Sequence, residues 1–182
     1  MKNVILIFFA FMSFTVISCK DNTKENEPEV VTVDNTEATA KAYELPEAEV
    51  EFNDPKMEAI FDQYLQVEAA LINTDAGKTA TESSKLEALL KDVNADEATQ
   101  TAVAAMATSE DISVQRQNFE TLSSSIEKML QGSLKSGTLY KQYCPMAFNN
   151  KGAYWISSSK DILNPYFGDK MLKCGRVDSE VK

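Results

Sequence analysis

The atoms best suited to chemistry in this chain are sulfurs, and two clusters of them stand near the C-terminal end. Cys144-Pro145-Met146 carries one thiol and one thioether, and Met171-Leu172-Lys173-Cys174 carries another of each. Thiolate and thioether are polarisable donors that match soft cations, so the four side chains Cys144, Met146, Met171 and Cys174 suit Cu(I) or Ag(I). Pro145 stiffens the first pair, and a helical Met171–Cys174 stretch would turn its two sulfurs to one side. Zinc is a poorer match, because the chain has no histidine and only two cysteines in this region. Two cysteines in a secreted domain are most simply a disulfide, Cys144–Cys174, with the methionines as core filler. Closing that loop would add about 3–4 kcal/mol in the chain-entropy account.

The lack of histidine also removes Ser-His-Asp and Cys-His nucleophile chemistry and histidine as a general base. No two acids stand at a spacing that suggests acid–base work, and Ser123, Ser124 and Ser125 have no base beside them. The chain is therefore expected not to be an enzyme. Arg116 reads as a structural cation paired with a buried acid or a carbonyl. Tyr140, Tyr143, Tyr154, Trp155, Tyr166 and Phe167 read as the packing of a small hairpin.

The third cysteine has a different setting. Met1-Lys2-Asn3 carries a positive charge, and Val4 to Ile17 is apolar apart from Ser13 and Thr15. That run is too short to span a bilayer, which needs about 20 residues, and suits the core of a signal peptide. It ends in Val16-Ile17-Ser18-Cys19, which resembles the bacterial lipobox. The resemblance implies cleavage after Ser18 and an acyl chain on Cys19, with the mature protein lipid-anchored in the cell envelope, periplasmic or at the outer-membrane surface. Lys20-Asp21 after the anchor resembles, weakly, a surface-export signal. The formal charge is −10, and it becomes −11 once residues 1–18 with their single lysine are removed. Such a charge repels phosphates, so nucleic acid is not an expected partner.

These groups need elements to place them. Residues 19–53 are acidic and polar without apolar periodicity, and read as a flexible tether, with a strand at Glu29–Val33 as the alternative. Residues 54–134 read as helical. Asp54-Pro55 predicts a helix start, and Met57, Ile60, Phe61, Tyr64, Val67, Leu71 and Ile72 form one apolar stripe. A second helix is expected from beyond Asp75 to about Val93, burying Ala80, Leu86, Leu89, Leu90 and Val93. A third carries Ala98, Ala102, Val103 and Met106 behind an Asn94–Glu97 capping box. A fourth, capped by Thr108 or Ser109, carries Ile112, Arg116, Phe119, Leu122, Ile126, Met129 and Leu130 up to a stop at Gly132. The expected fold is mostly α, a four-helix antiparallel bundle. Residues 135–182 form a small β-hairpin and irregular Cys-Met segment packed on it, with strands at Leu139–Tyr143 and Ala153–Ser157.

Several motifs together resemble domain-of-unknown-function family 3347. They are Tyr143-Cys144-Pro145-Met146-Ala147, Gly152-Ala153-Tyr154-Trp155-Ile156-Ser157, Asn164-Pro165-Tyr166-Phe167-Gly168 and Met171-Leu172-Lys173-Cys174-Gly175. Arg116, Phe119 and Ser123 are similar to it as well, and the likeness spans roughly residues 55–178. Members are often secreted lipoproteins, and the module also occurs on periplasmic adaptors of heavy-metal efflux systems. The resemblance thus implies copper or silver handling, with an efflux adaptor or another envelope protein as partner. Tyr143-Cys144-Pro145-Met146 also resembles the opening of a small heavy-metal-binding domain, with Ala147 where that domain has histidine.

Overall fold

Four aspartates start the four long helices, each in extended backbone with its carboxylate turned onto the first turn. In the computed structural model, which describes residues 42–182, α1 is Pro55–Ile72, α2 Ala76–Asp92, α3 Glu97–Thr108 and α4 Ile112–Leu130. Asp54 accepts from Lys56 N at 2.9 Å, Asp75 from Lys78 N at 2.8 Å, Asp96 from Thr99 N at 3.0 Å and Asp111 from Ser113 N at 2.8 Å. Each satisfies a backbone donor that the helix itself leaves unpaired. Two expected caps are thereby corrected. Asp96 rather than Asn94 caps α3, and Asp111 rather than Thr108 or Ser109 caps α4. The reason for Asn94 is local: with φ 52° it ends α2, where Ala95 N reaches back to Leu90 O at 3.0 Å.

The chain is thus mostly helical, and a small antiparallel sheet closes its C-terminal end. Strand β1 (Glu51–Phe52) pairs with β2 (Leu134–Ser136). Strand β3 (Leu139–Cys144) is the centre of a three-stranded sheet, between β4 (Ala153–Ser157) and β5 (Arg176–Val181). The hairpin read from the sequence is present as β3 and β4, with Tyr143 opposite Tyr154 and Cys144 opposite Ala153. Strand β5 was not anticipated. It is almost wholly exposed, so it lacks the apolar alternation by which a strand is recognised.

Consecutive helices pack on one another, and α4 carries the sheet through β4. A row of rings joins the parts, from Phe52 through Phe61, Tyr64, Phe119 and Tyr166 to Trp155, with neighbouring centroids 5.2 to 6.0 Å apart. Tyr64 is its hub: its hydroxyl lies 2.9 Å from Ser123 Oγ on α4 and accepts from Ile156 N on β4 at 3.2 Å.

The last part of the segment read as a tether packs on the fold. The leader at 1–18, the Cys19 anchor, the alternative strand at Glu29–Val33 and the tether up to residue 41 lie outside the described residues. Leu45, Ala48, Val50 and Phe52, however, pack against the core. Ser158 Oγ donates to Pro46 O at 2.7 Å, and Asn53 N to Ser133 O at 2.8 Å. These apolar side chains gain more from burial than the segment loses in chain freedom. Among the described residues, no helix is long and apolar enough to cross a membrane.

Candidate thiol and soft-metal site

Cys144 is the last residue of β3, opposite Ala153 of β4, and is fully buried. Cys174 approaches it from the other flank, two residues before β5 begins. Three features bring it there. A turn closes Met171 to Cys174 through Cys174 N and Met171 O at 3.0 Å. The fully buried Asn164 donates from Nδ2 to Cys174 O at 2.6 Å, while its own Oδ1 accepts from Tyr166 N at 2.8 Å. Gly175 then passes the Trp155 ring so closely that a Cβ there would lie 3.0 Å from it and 3.1 Å from Tyr143 O. Cys144 and Cys174, 30 residues apart in the chain, end with their sulfurs 3.5 Å from each other.

The two thiols differ in surroundings. Cys174 is half-buried, and its thiol is pushed up by burial first, then by the hydrogen bond and charge of Cys144. Met146 is 46% exposed, and Met171 is half-buried at the head of the 171–174 turn. That stretch is not helical: a 3-10 turn at Gly168–Lys170 precedes it. Met171 and Cys174 are related by the turn instead.

The spacing limits what an ion could do here. With metal–sulfur bonds of about 2.3 Å, two sulfurs 3.5 Å apart subtend about 100°. That angle belongs to three or four ligands; a linear two-sulfur site would need them about 4.6 Å apart. Among the described residues, no three His, Cys, Asp or Glu side chains come together as a metal group. Met146 and Met171 each lie within three residues of one of the two cysteines in the chain.

The loop leaving Cys144 is conformationally unusual. Phe148, Asn149 and Asn150 all have positive φ, at 50°, 58° and 65°. Asparagine tolerates this region; phenylalanine seldom does. Phe148 is held by its edge-on contact with Tyr166, centroids 5.5 Å apart. Open grooves of about 430 and 420 Å³ border Pro46 and Ser159, and no sulfur lines either.

The residues that support the site were partly legible. Arg116 donates to Pro165 O at 2.9 Å, Leu71 O at 3.1 Å and Thr74 Oγ1 at 3.1 Å, so carbonyls and a hydroxyl, not an acid, are its partners. It thereby ties α4 to the end of α1 and to the 164–168 loop. Trp155 and Tyr166 are core, whereas Tyr143 and Tyr154 pair at 4.5 Å under the cations Arg176 and Lys141. Gln142 was not singled out; buried, it donates to Ser159 O at 2.7 Å and Asp161 O at 3.2 Å, shaping the loop toward Asn164. Glu68 was also missed. It is fully buried, neither carboxyl oxygen has a hydrogen-bond partner, and burial pushes its carboxyl well above the ordinary range. Its signal was available: four residues after Tyr64 and three before Leu71, it sits on the apolar stripe.

No curated protein and no solved structure matches the chain. A family model does match, over residues 60–137, which run from within α1 to the edge of β3. The match covers the helical scaffold and stops short of Cys144, so the chemistry of the sulfur segment rests on its own atoms. Over those residues the chain matches the family described as Protein of unknown function (DUF3347).

Proposed function

We propose that this chain is a non-catalytic, lipid-anchored protein of the cell envelope that binds or relays a soft heavy-metal ion, Cu(I) or Ag(I), as an accessory to metal efflux or homeostasis. Cys144 and Cys174 supply thiolates, Met146 and Met171 supply thioethers, and Cys19 carries the acyl anchor. The four long helices serve as an antiparallel bundle that holds the sulfur segment. A heavy-metal efflux adaptor or another envelope protein is the partner this reading implies.

The observation that carries the reading is the 3.5 Å contact between two thiols brought from separate elements. Soft sulfur donors select soft ions, and thiolates bind only once deprotonated, so loading releases protons. The raised Cys174 thiol makes that loading more favourable as pH rises.

Titration of reduced protein with Cu(I) or Ag(I) against a competing chelator tests this. The expected result is tight binding that falls on the order of a hundredfold or more when both cysteines become serine. An affinity indifferent to that double replacement would exclude thiolate ligation. A second reading draws on the same contact: a bridge between Cys144 and Cys174 would staple the C-terminal segment of an interaction module. Thiol counting on native protein separates the two, since two reactive thiols favour the metal site and none favours the staple.

A further inference from the structure

The two thiols are close in space but unequal in access, and that inequality has a chemical consequence. Cys144 is fully buried in the central strand, while Cys174 is partly open to solvent on a turn. We propose that they form an ordered thiol–disulfide exchange pair, in which Cys174 is the entry sulfur, Cys144 is the resolving sulfur, and closure of their bridge withdraws both metal ligands.

The oxidant is a disulfide, either a small one such as glutathione disulfide or that of an envelope oxidoreductase. The Cys174 thiolate attacks one sulfur of the oxidant, whose S–S bond breaks. One thiolate leaves and takes up the proton that Cys174 released. The Cys144 thiolate then attacks the Cys174 sulfur of the mixed disulfide. The second external thiolate leaves and takes up the Cys144 proton. Two protein thiols are oxidised to one disulfide, and one external disulfide is reduced to two thiols.

Three observations order these steps. An external disulfide must reach its attacker in line, and only Cys174 offers an exposed face. The resolving thiol must already touch the sulfur it will attack, and Cys144 lies 3.5 Å from it. Closure to a bond of about 2.05 Å asks the two sulfurs to approach by about 1.5 Å. Among the exposed charges close to Cys174 in the chain, Lys170, Lys173 and Arg176 stand against Asp169 and Asp178, the latter paired with Arg176 at 3.3 Å, a small positive balance that suits an anionic oxidant.

The exchange order stands independently of metal binding; the gating consequence rests on the function proposed above. The test uses the full chain carrying Cys19→Ser, reduced, exposed to glutathione disulfide, acid-quenched and read by intact mass, with circular dichroism as the folding check. The parent should lose both free thiols without a lasting adduct. Cys144→Ser should accumulate one glutathione on Cys174. Cys174→Ser should leave Cys144 unmodified until the chain is unfolded in guanidinium. Adducts forming as fast on Cys144 in folded Cys174→Ser would overturn the order, and a parent that holds stable adducts without bridging would overturn the pair. Ag(I) binding by the bridged protein, measured alongside, should be lost. If it is retained, gating fails. If the reduced protein also does not bind Ag(I), the metal function fails while the exchange pair survives.

Discussion

The helical scaffold and the sulfur-bearing segment are built on opposite plans. Residues 42–134 carry eighteen acidic side chains against six basic ones, whereas residues 135–182 carry four acidic against eight basic. The scaffold uses repeated local devices: an aspartate cap, an apolar stripe, a left-handed stop. The C-terminal segment has little periodic structure and is held by single residues, each with one task. Asn164 holds the Cys174 backbone, Gln142 holds the 159–161 loop, and Gly168 lets its loop reach the end of α1. A Cβ on Gly168 would sit 2.3 Å from Thr74 Oγ1, and its φ of 56° suits glycine. A repeated device tolerates loss of one copy; a set of single tasks does not. That is why the chemistry can sit in the part with the least regular structure: its geometry is set by the scaffold beneath it.

The largest expected effect breaks the join between the two plans. Trp155 is fully buried and packs edge-on against Tyr166, centroids 6.0 Å apart, beneath Gly175. Trp155→Ala should cost about 3–5 kcal/mol in urea unfolding and disorder the approach of Cys174 to Cys144. If both regions share one core, fluorescence and far-ultraviolet circular dichroism should report a single shifted transition. A segment that melts first while the helices stay would show instead that the regions are separate cooperative units.

A smaller effect of opposite sign belongs to the scaffold. Glu68 has no hydrogen-bond partner, and burial pushes its carboxyl well above the ordinary range. The folded carboxyl titrates above its unfolded counterpart, so the unfolded chain loses this proton first. Its contribution is therefore unpenalised below the ordinary carboxylate range and worsens as pH rises through that range toward the folded value. Glu68→Leu should raise stability at pH 7 by about 1–3 kcal/mol and remove that part of the pH slope. Stability curves from pH 4 to pH 8 on both proteins would check it, and an unchanged slope would mean that Glu68 is not the group concerned.

The smallest effect sharpens the idea of redundancy. Asp96→Ala removes one of four similar caps and should cost about 1 kcal/mol, seen as a lower urea midpoint with unchanged slope. Thiol reactivity at Cys174 should be untouched, because the loss stays in the first turn of α3.

The helices were legible because their signals are local. Pro55 after Asp54, the stripe from Met57 to Ile72 and the stop at Gly132, where φ is 70°, each depend on residues within one or two turns. The caps at α3 and α4 were displaced by two or more residues because each start offers several polar side chains, and backbone geometry chooses among them. Leu45, Val50 and Phe52 gave no helical or alternating signal, since their burial depends on a surface made by distant residues. Strand β5 was hidden for the complementary reason: pairing with β3 is a backbone matter, and its exposed side chains do not advertise it.

Residue types alone determined that histidine-dependent chemistry is impossible, that soft donors cluster in two places and that the first part is helical, because each follows from composition or from short-range periodicity. Only the tertiary structure decided that Cys144 and Cys174 meet, that one is sealed and the other open, and that Glu68 is stranded without a partner. Contacts across 30 residues depend on how strands pair and loops close, and side-chain burial is a property of the assembled core, which no local stretch of chain encodes by itself.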